Sequence, residues 1–193
     1  MSDVEVEPIP GLPEELPAGE HIVWQGQPHW RTLAQHAFHV RTVALYFGGI
    51  VTLRVGAALI NGEPFVMAAW SVVVVTALSA VGLGLLCLLA YLNARTSMYT
   101  ITNRRVVMRV GVAFPITFNL PFKSLSGAAL KAYPNGAGEI ALSLSGSDRL
   151  AYLHLWPHAR PWNFRKSSPM LRAVPKAQDV AQLLAQHAQG VAA

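Results

Sequence analysis

Seven histidines, ten acids and one cysteine are the residues of this chain that could do chemistry, and their spacing decides what kind. His36 and His39 stand three apart, which on a helix puts both imidazoles on one face where they could share a ligand. His154 and His158 flank Trp156-Pro157, where the proline breaks any helical i,i+4 geometry, and few carboxylates stand near enough to complete a metal set. Neither pair is read as a metal site, and no cofactor is expected. Cys87 lies inside an apolar run, so a lone inert thiol is expected, with no intramolecular disulfide and no cysteine-based metal site. Glu139 and Asp148 flank one expected strand, too far apart in an extended chain to share a substrate atom. The chain has no Gly-x-Ser-x-Gly elbow, no phosphate-cradling glycine loop before a helix and no His-Glu-x-x-His. The residues point away from an enzyme.

Arginine beside aromatic residues points instead toward binding. Arg104 and Arg105 fall in an expected turn with Arg95 and Arg109 near, a set suited to anionic lipid headgroups or an acidic protein surface. The plainer role for these arginines is to set membrane orientation. Residues 156–172 (WPHARPWNFRKSSPMLR) carry Trp156, Trp162 and Phe164 beside Arg160, Arg165, Lys166 and Arg172. Aromatic and arginine side chains anchor protein interfaces, and so long a loop in a small domain is usually functional. Arg104, Arg105, Arg109, Trp156, Arg160, Trp162, Arg165 and Lys166 are therefore the candidate contacts to protein or lipid. A loop packed on its own domain is the alternative.

The elements that must position these residues begin with charge. Charged residues make up 13% of the chain against 52% apolar, about half the usual charged share. Asp3, Glu5, Glu7, Glu14, Glu15 and Glu20 stand in the first twenty residues without a Lys or Arg. After Asn93, twelve Lys/Arg face three acids. A basic rear half beside a membrane most simply faces anionic headgroups. Nucleic acid is disfavoured, because no reading helix or aromatic platform is evident. The acidic, proline-rich start is the opposite of a cleavable signal.

Residues 65–92 (FVMAAWSVVVVTALSAVGLGLLCLLAYL) are free of charge over 28 positions, whereas about 20 suffice to cross a bilayer. Residues 42–60 (TVALYFGGIVTLRVGAALI) form the second expected span and contain Arg54. An arginine at mid-membrane costs around 2.5–3.5 kcal/mol. Either Arg54 snorkels to the interface about 9 Å along the axis, or it pairs with a partner inside the membrane. On the same helix Ala44, Gly48, Thr52 and Gly56 recur every four residues as a small-residue face that lets another helix approach. Its partner is either the chain's own second span, through Ala80 and Gly84, or another molecule, with a second copy of this chain among the options. The turn at 61–64 has one acid and no base, while Arg31, Arg41, Arg95, Arg104, Arg105 and Arg109 flank the spans. Both termini are thus expected in the cytoplasm.

Outside the spans the hydrophobic period becomes two. Tyr99 and Ile101, then Val106, Met108 and Val110, then Ile116, Phe118 and Leu120 alternate with polar or small residues. Pro134-Asn135-Gly136 reads as a turn before Ile140, Leu142 and Leu144. Gly146-Ser147-Asp148 reads as another before a strand bearing Leu150, Tyr152, His154 and Trp156. Pro175 suits a first helical position, and Val180, Leu183, Leu184 and His187 recur at helical spacing up to a stop at Gly190. Residues 19–28 read as a first strand after an acidic tail at 1–18, and 29–41 as an amphipathic helix leading into the membrane.

GEHIVWQGQP at 19–28 and YTITNRRVVMRVGVAFPITFNLPFKSL at 99–125, separated by the helix pair, resemble the bacterial PH-like domain of small membrane proteins. That likeness implies a two-helix transmembrane hairpin inserted in an antiparallel β-barrel at 95–190, with a C-terminal capping helix. EPIPGLPEELPAGE at 7–20, AFHVRTVALYF at 37–47, and HLWPHARPW with PMLRAVP within 154–175 resemble the PuhB family of photosynthetic complex assembly proteins of purple bacteria. This second likeness implies a helper in building the reaction centre and, secondarily, the core antenna. It implies residence in the bacterial inner, intracytoplasmic membrane and partners among reaction-centre or core-antenna subunits. Pigments of such complexes are commonly held by a histidine inside a membrane helix, and neither expected span contains one.

Overall fold

The computed structural model of the chain describes residues 11–12, 14–112, 114–145, 156–159 and 168–192. Arg160, Trp162, Arg165 and Lys166 lie outside the described residues, as does the strand expected from Leu150 onward up to Trp156.

Strand β1 (Ile22–Gly26) is followed by three helices: α1 (Trp30–His36), α2 (Val40–Ile60) and α3 (Phe65–Thr96). The chain then returns as β2 (Met98–Thr102), β3 (Arg105–Val110) and β4 (Ile116–Pro121). These four strands form one antiparallel sheet in the order β1-β2-β3-β4. Gln25 lies opposite Thr100 across the whole helical insertion. Because α2 and α3 run out and back, both flanks of the insertion meet at one end of the pair and complete a single sheet.

A 3-10 turn at Phe122–Ser124 leads into β5 (Leu125–Ala132), β6 (Gly138–Leu144) and β7 (Met170–Val174), a second antiparallel sheet. Helix α4 (Ala177–Ala192) packs on it through Val180 and Leu184. The period-two faces read from the sequence meet here: Tyr99, Ile101, Val106, Met108, Ile140 and Leu142 are all fully buried. The closed barrel is not formed. Pro121 ends β4 without a backbone donor, the 3-10 turn redirects the chain, and β5 opens a separate sheet instead of pairing with β4. The two sheets and α4 enclose the core without a continuous ladder.

Three helix bounds also differ from expectation. The lead-in helix at 29–41 breaks after His36, and His39 takes a left-handed conformation (φ 52°) before α2 starts at Val40. Burial of Phe38 between the helices accompanies the break. Helix α3 runs on to Thr96, past Asn93, the residue that ends the apolar run. Helix α4 starts at Ala177, after Lys176 at φ 49°, and Gly190 does not stop it.

In the long pair, Ala58 and Ser79 are buried, and a Cβ on Gly82 would stand 4.0 Å from Phe47. Arg54 donates Nη2 to Glu63 Oε2 at 2.6 Å and Nη1 to Oε1 at 3.2 Å, a two-pronged pair within the hairpin. The small-residue faces do not meet. Ala44, Gly48, Thr52, Ala80 and Gly84 are exposed, and a Cβ on Gly48, Gly56 or Gly84 would touch nothing within 4 Å.

Candidate functional site

Two arrangements where the helices join the sheets concentrate the polar and aromatic residues. The first is a belt around the ends of α1 and α3. Trp30 meets Tyr91 edge-on at 6.1 Å, with Arg31 5.5 Å over the Trp30 ring and Arg95 5.5 Å over the Tyr91 ring. Arg95 Nε also donates to the Tyr91 hydroxyl at 3.1 Å. Trp156 stands edge-on to Phe38 at 5.7 Å and is 55% exposed. Amphipathic rings beside guanidinium groups are suited to the headgroup level of a bilayer.

Strand register splits the predicted arginine cluster. Met98, the first residue of β2, faces Arg109, so Arg109 returns to the end of α3. It shares a groove of about 290 Å³ with Arg95, Gln27 and Thr96. Arg104 and Arg105 lie at the far turn, five strand residues away, or roughly 16 Å. Arg104 is exposed, but Arg105 is held by Glu20 at 2.7 Å. Glu20 also accepts from Thr102 Oγ1 at 2.8 Å, and its side chain is 3% exposed. Burial would raise the Glu20 pKa. The hydrogen bonds from Arg105 and Thr102 and the charges of Arg105 and Arg104 outweigh it, leaving the carboxyl below its ordinary range. Asn103 completes the clamp, accepting from His21 N–H at 3.1 Å and donating to Gly19 O at 3.0 Å. The Thr102–Arg105 phrase thus fastens β1 onto the sheet.

The second arrangement is a buried polar chain that joins α3 to the second sheet. His158 is wholly buried, with Nε2 2.8 Å from Asn93 Oδ1 and Nδ1 2.6 Å from the Tyr99 hydroxyl. An amide oxygen only accepts, so Nε2 carries the proton and Nδ1 accepts from Tyr99. The Tyr99 oxygen in turn accepts the Arg172 backbone N–H at 3.1 Å. Burial, and then the positive charge of Arg172, push the His158 pKa down to about 3, so the ring is neutral. The Tyr99 hydroxyl is raised by burial. Arg172, grouped by sequence with the exposed loop, is buried in β7; it donates Nη2 to Ala159 O at 3.1 Å and stands 3.7 Å from Glu139. Such a node fixes the direction of α3 relative to the domain, because every connection in it is buried and directional.

The histidine pair of the sequence is separated. His36 stacks on Tyr133 at 3.7 Å and is shifted down by burial, while His39 sits in the break between helices. Among the described residues, no three His, Cys, Asp or Glu are grouped to hold a metal ion. Sequence reasoning missed Glu63 and Asn93. The signals were present: the one acid and the one arginine of residues 42–92, and the first amide after the uncharged run.

A family model described as Bacterial PH domain matches residues 32–188. A protein of Rhodobacter capsulatus, described as an uncharacterized 23.7 kDa protein in the puhA 5′ region, is 39% identical over 188 residues, 97% of this chain and 88% of the relative. A crystal structure of a DUF1696 family protein with a pleckstrin-homology domain, from Shewanella loihica PV-4, is 13% identical; the match covers 48% of this chain and 71% of that one, with a TM-score of 0.32.

Proposed function

The chain belongs to the bacterial PH domain family, and from that premise we propose that it is a non-catalytic membrane assembly factor for the photosynthetic reaction centre, acting secondarily on the core light-harvesting complex. In this reading α2 and α3 cross the inner membrane as a hairpin, and both termini with the PH-like domain lie on the cytoplasmic face. The observation that carries it is the bareness of the pair. Only 6% of the most apolar window of each helix is buried within the chain, and Leu45, Leu53, Ile60, Phe65 and Val66 are among the exposed side chains. So large an apolar surface requires lipid or protein around it. The outward small-residue faces around Gly48 and Gly84 suit close approach of a partner helix. An unassembled subunit that exposes small or polar membrane residues would find a temporary neighbour there.

Identity of the client rests on likeness. The relative is described by its place in the puhA 5′ region, and the PuhB family resembled at 7–20, 37–47 and 154–175 shares that gene prefix. Deleting the gene and measuring assembled reaction centre by near-infrared absorbance tests the proposal. A clear fall is expected, and unchanged levels would end it.

A second reading, a general PH-domain anchor that binds anionic lipid or an envelope protein, draws on the Arg95–Arg109 groove beside the aromatic belt. It predicts retention of anionic lipid by the purified chain that weakens on Arg95→Gln, with no change in photosynthetic complexes on gene deletion.

A further inference from the structure

From the apolar turn that follows β3 we infer a second membrane anchor within the PH-like domain: Val112 and Phe114 enter the lipid interface beside the last turn of α3. The inference rests on the membrane reading above and names the part of the domain that touches lipid. Among the described residues outside the long pair, Phe114 is the most exposed large apolar side chain, at 84%, and Val112 is 42% exposed. The strand that leads to them buries Val106, Val107, Met108 and Val110, so the apolar run continues past the point where burial ends. A bare apolar side chain is ordinary on a protein surface. Its placement decides here.

Strand β2 leaves the end of α3, and β3 returns antiparallel to it with Arg109 opposite Met98. Residues beyond Arg109 therefore stand on the membrane side of the sheet. Gly111, Val112 and Pro115 line the groove of about 290 Å³ together with Arg95 and Thr96, which sets the turn alongside the last turn of α3. Arg95 stands three residues past Leu92, the last residue of the charge-free run, or about 4.5 Å along the helix axis. Apolar faces at an interface lie about 5–10 Å into the boundary between headgroups and acyl chains. The turn is already at the depth where apolar side chains enter lipid.

Shape and charge agree with that depth. Gly111 takes φ 120°, and the backbone of Phe114 and Pro115 folds back so closely that a Cβ on Gly111 would collide with it. A turn held this way, with Pro115 fixing one dihedral, has little conformational freedom to lose on insertion. Arg95 and Arg109 border it at the groove, and among the described residues no acid lines that groove. Guanidinium groups beside an apolar tip suit the phosphate level of a bilayer. On α3, Ala90 and Ala94 pack with Leu33 and Ala34 of α1, whereas Arg95 and Thr96 line the groove. At about 3.6 residues per turn these two pairs occupy roughly opposite faces of the helix. The belt at Trp30 and the turn at Phe114 thus support the domain on two sides of α3 and fix its tilt over the bilayer.

The test uses the full chain in nanodiscs of mixed anionic and zwitterionic phospholipid, with Cys87→Ala removing the one native thiol and a nitroxide on one introduced cysteine. Collision with oxygen and with a water-soluble nickel chelate reads the depth of each label. Phe114→Cys should lie about 5–10 Å into the boundary between headgroups and acyl chains. Arg104→Cys, at the far turn, should read water, and Leu78→Cys, exposed on α3, should read hydrocarbon. A Leu78→Cys label in water would sink the membrane reading and this inference together. Hydrocarbon at Leu78→Cys with water at Phe114→Cys would sink this inference alone. Shielding of the Phe114→Cys label in native membranes but not in nanodiscs would assign the turn to a protein partner, and spin–spin broadening between such labels would assign it to a second copy. Either result overturns the lipid anchor. Phe114→Asp should draw a label at Val112→Cys out into water while the circular dichroism spectrum stays unchanged, and a label that keeps its depth would also overturn it.

Discussion

Acidification should unfasten the domain through one imidazole. Unfolded, His158 titrates near 6.5; folded, it stays neutral down to about 3. As pH falls, the unfolded chain therefore takes the proton first. The contribution of this group to stability is complete above pH 6.5 and is lost progressively from there toward pH 3. Between pH 7 and pH 5 the linked loss amounts to about 2 kcal/mol, or roughly 4–8 °C of melting temperature for a chain of this size. The assay is thermal unfolding of the detergent-solubilised chain at both pH values, beside His158→Gln. The variant should be less stable at pH 7, because Asn93 Oδ1 and the Tyr99 hydroxyl lose their shared partner. It should also lack the His158 share of the pH dependence. His36, shifted the same way by burial, titrates in both proteins and cancels in the comparison. Equal losses in wild type and variant between pH 7 and pH 5 would refute the neutral, buried imidazole.

Glu63→Gln leaves Arg54 without its counter-charge. The cost should be about 3 kcal/mol or more if the pair lies in lipid, and under about 1 kcal/mol if it lies in water, with Arg54→Met restoring stability in the first case; chemical unfolding in micelles measures it. Glu20→Ala removes the acceptor shared by Arg105 and Thr102. It should cost about 2 kcal/mol and speed amide exchange in β1 before the other strands. Gly111→Ala drives a Cβ into the Phe114 carbonyl oxygen at φ 120°; a loss of more than about 2 kcal/mol is expected in the same unfolding assay.

Local pattern was enough for the two long apolar helices, the alternating faces of β2, β3 and β6, and the amphipathic α4. Each depends on the period of a short window, 3.6 or 2 residues, which the sequence states directly. The turn phrase Thr102–Arg105 was legible as a turn, but its use was not. Glu20, which holds Arg105, stands 85 positions earlier, beyond the reach of any periodicity.

Tertiary structure alone decided the rest. Arg54 acquired its partner because the hairpin brings Glu63 back along α2. The arginines were divided because β3 reverses, which returns Arg109 to the helix end and leaves Arg105 at the far turn. His158 became a buried neutral link through contacts 59–65 residues distant in sequence. The open sheet arose because a 3-10 turn after Pro121 sends β5 into a new layer. Composition and period determine which faces seek burial; which polar groups then share that burial is set by how the chain returns, and no local window contains it.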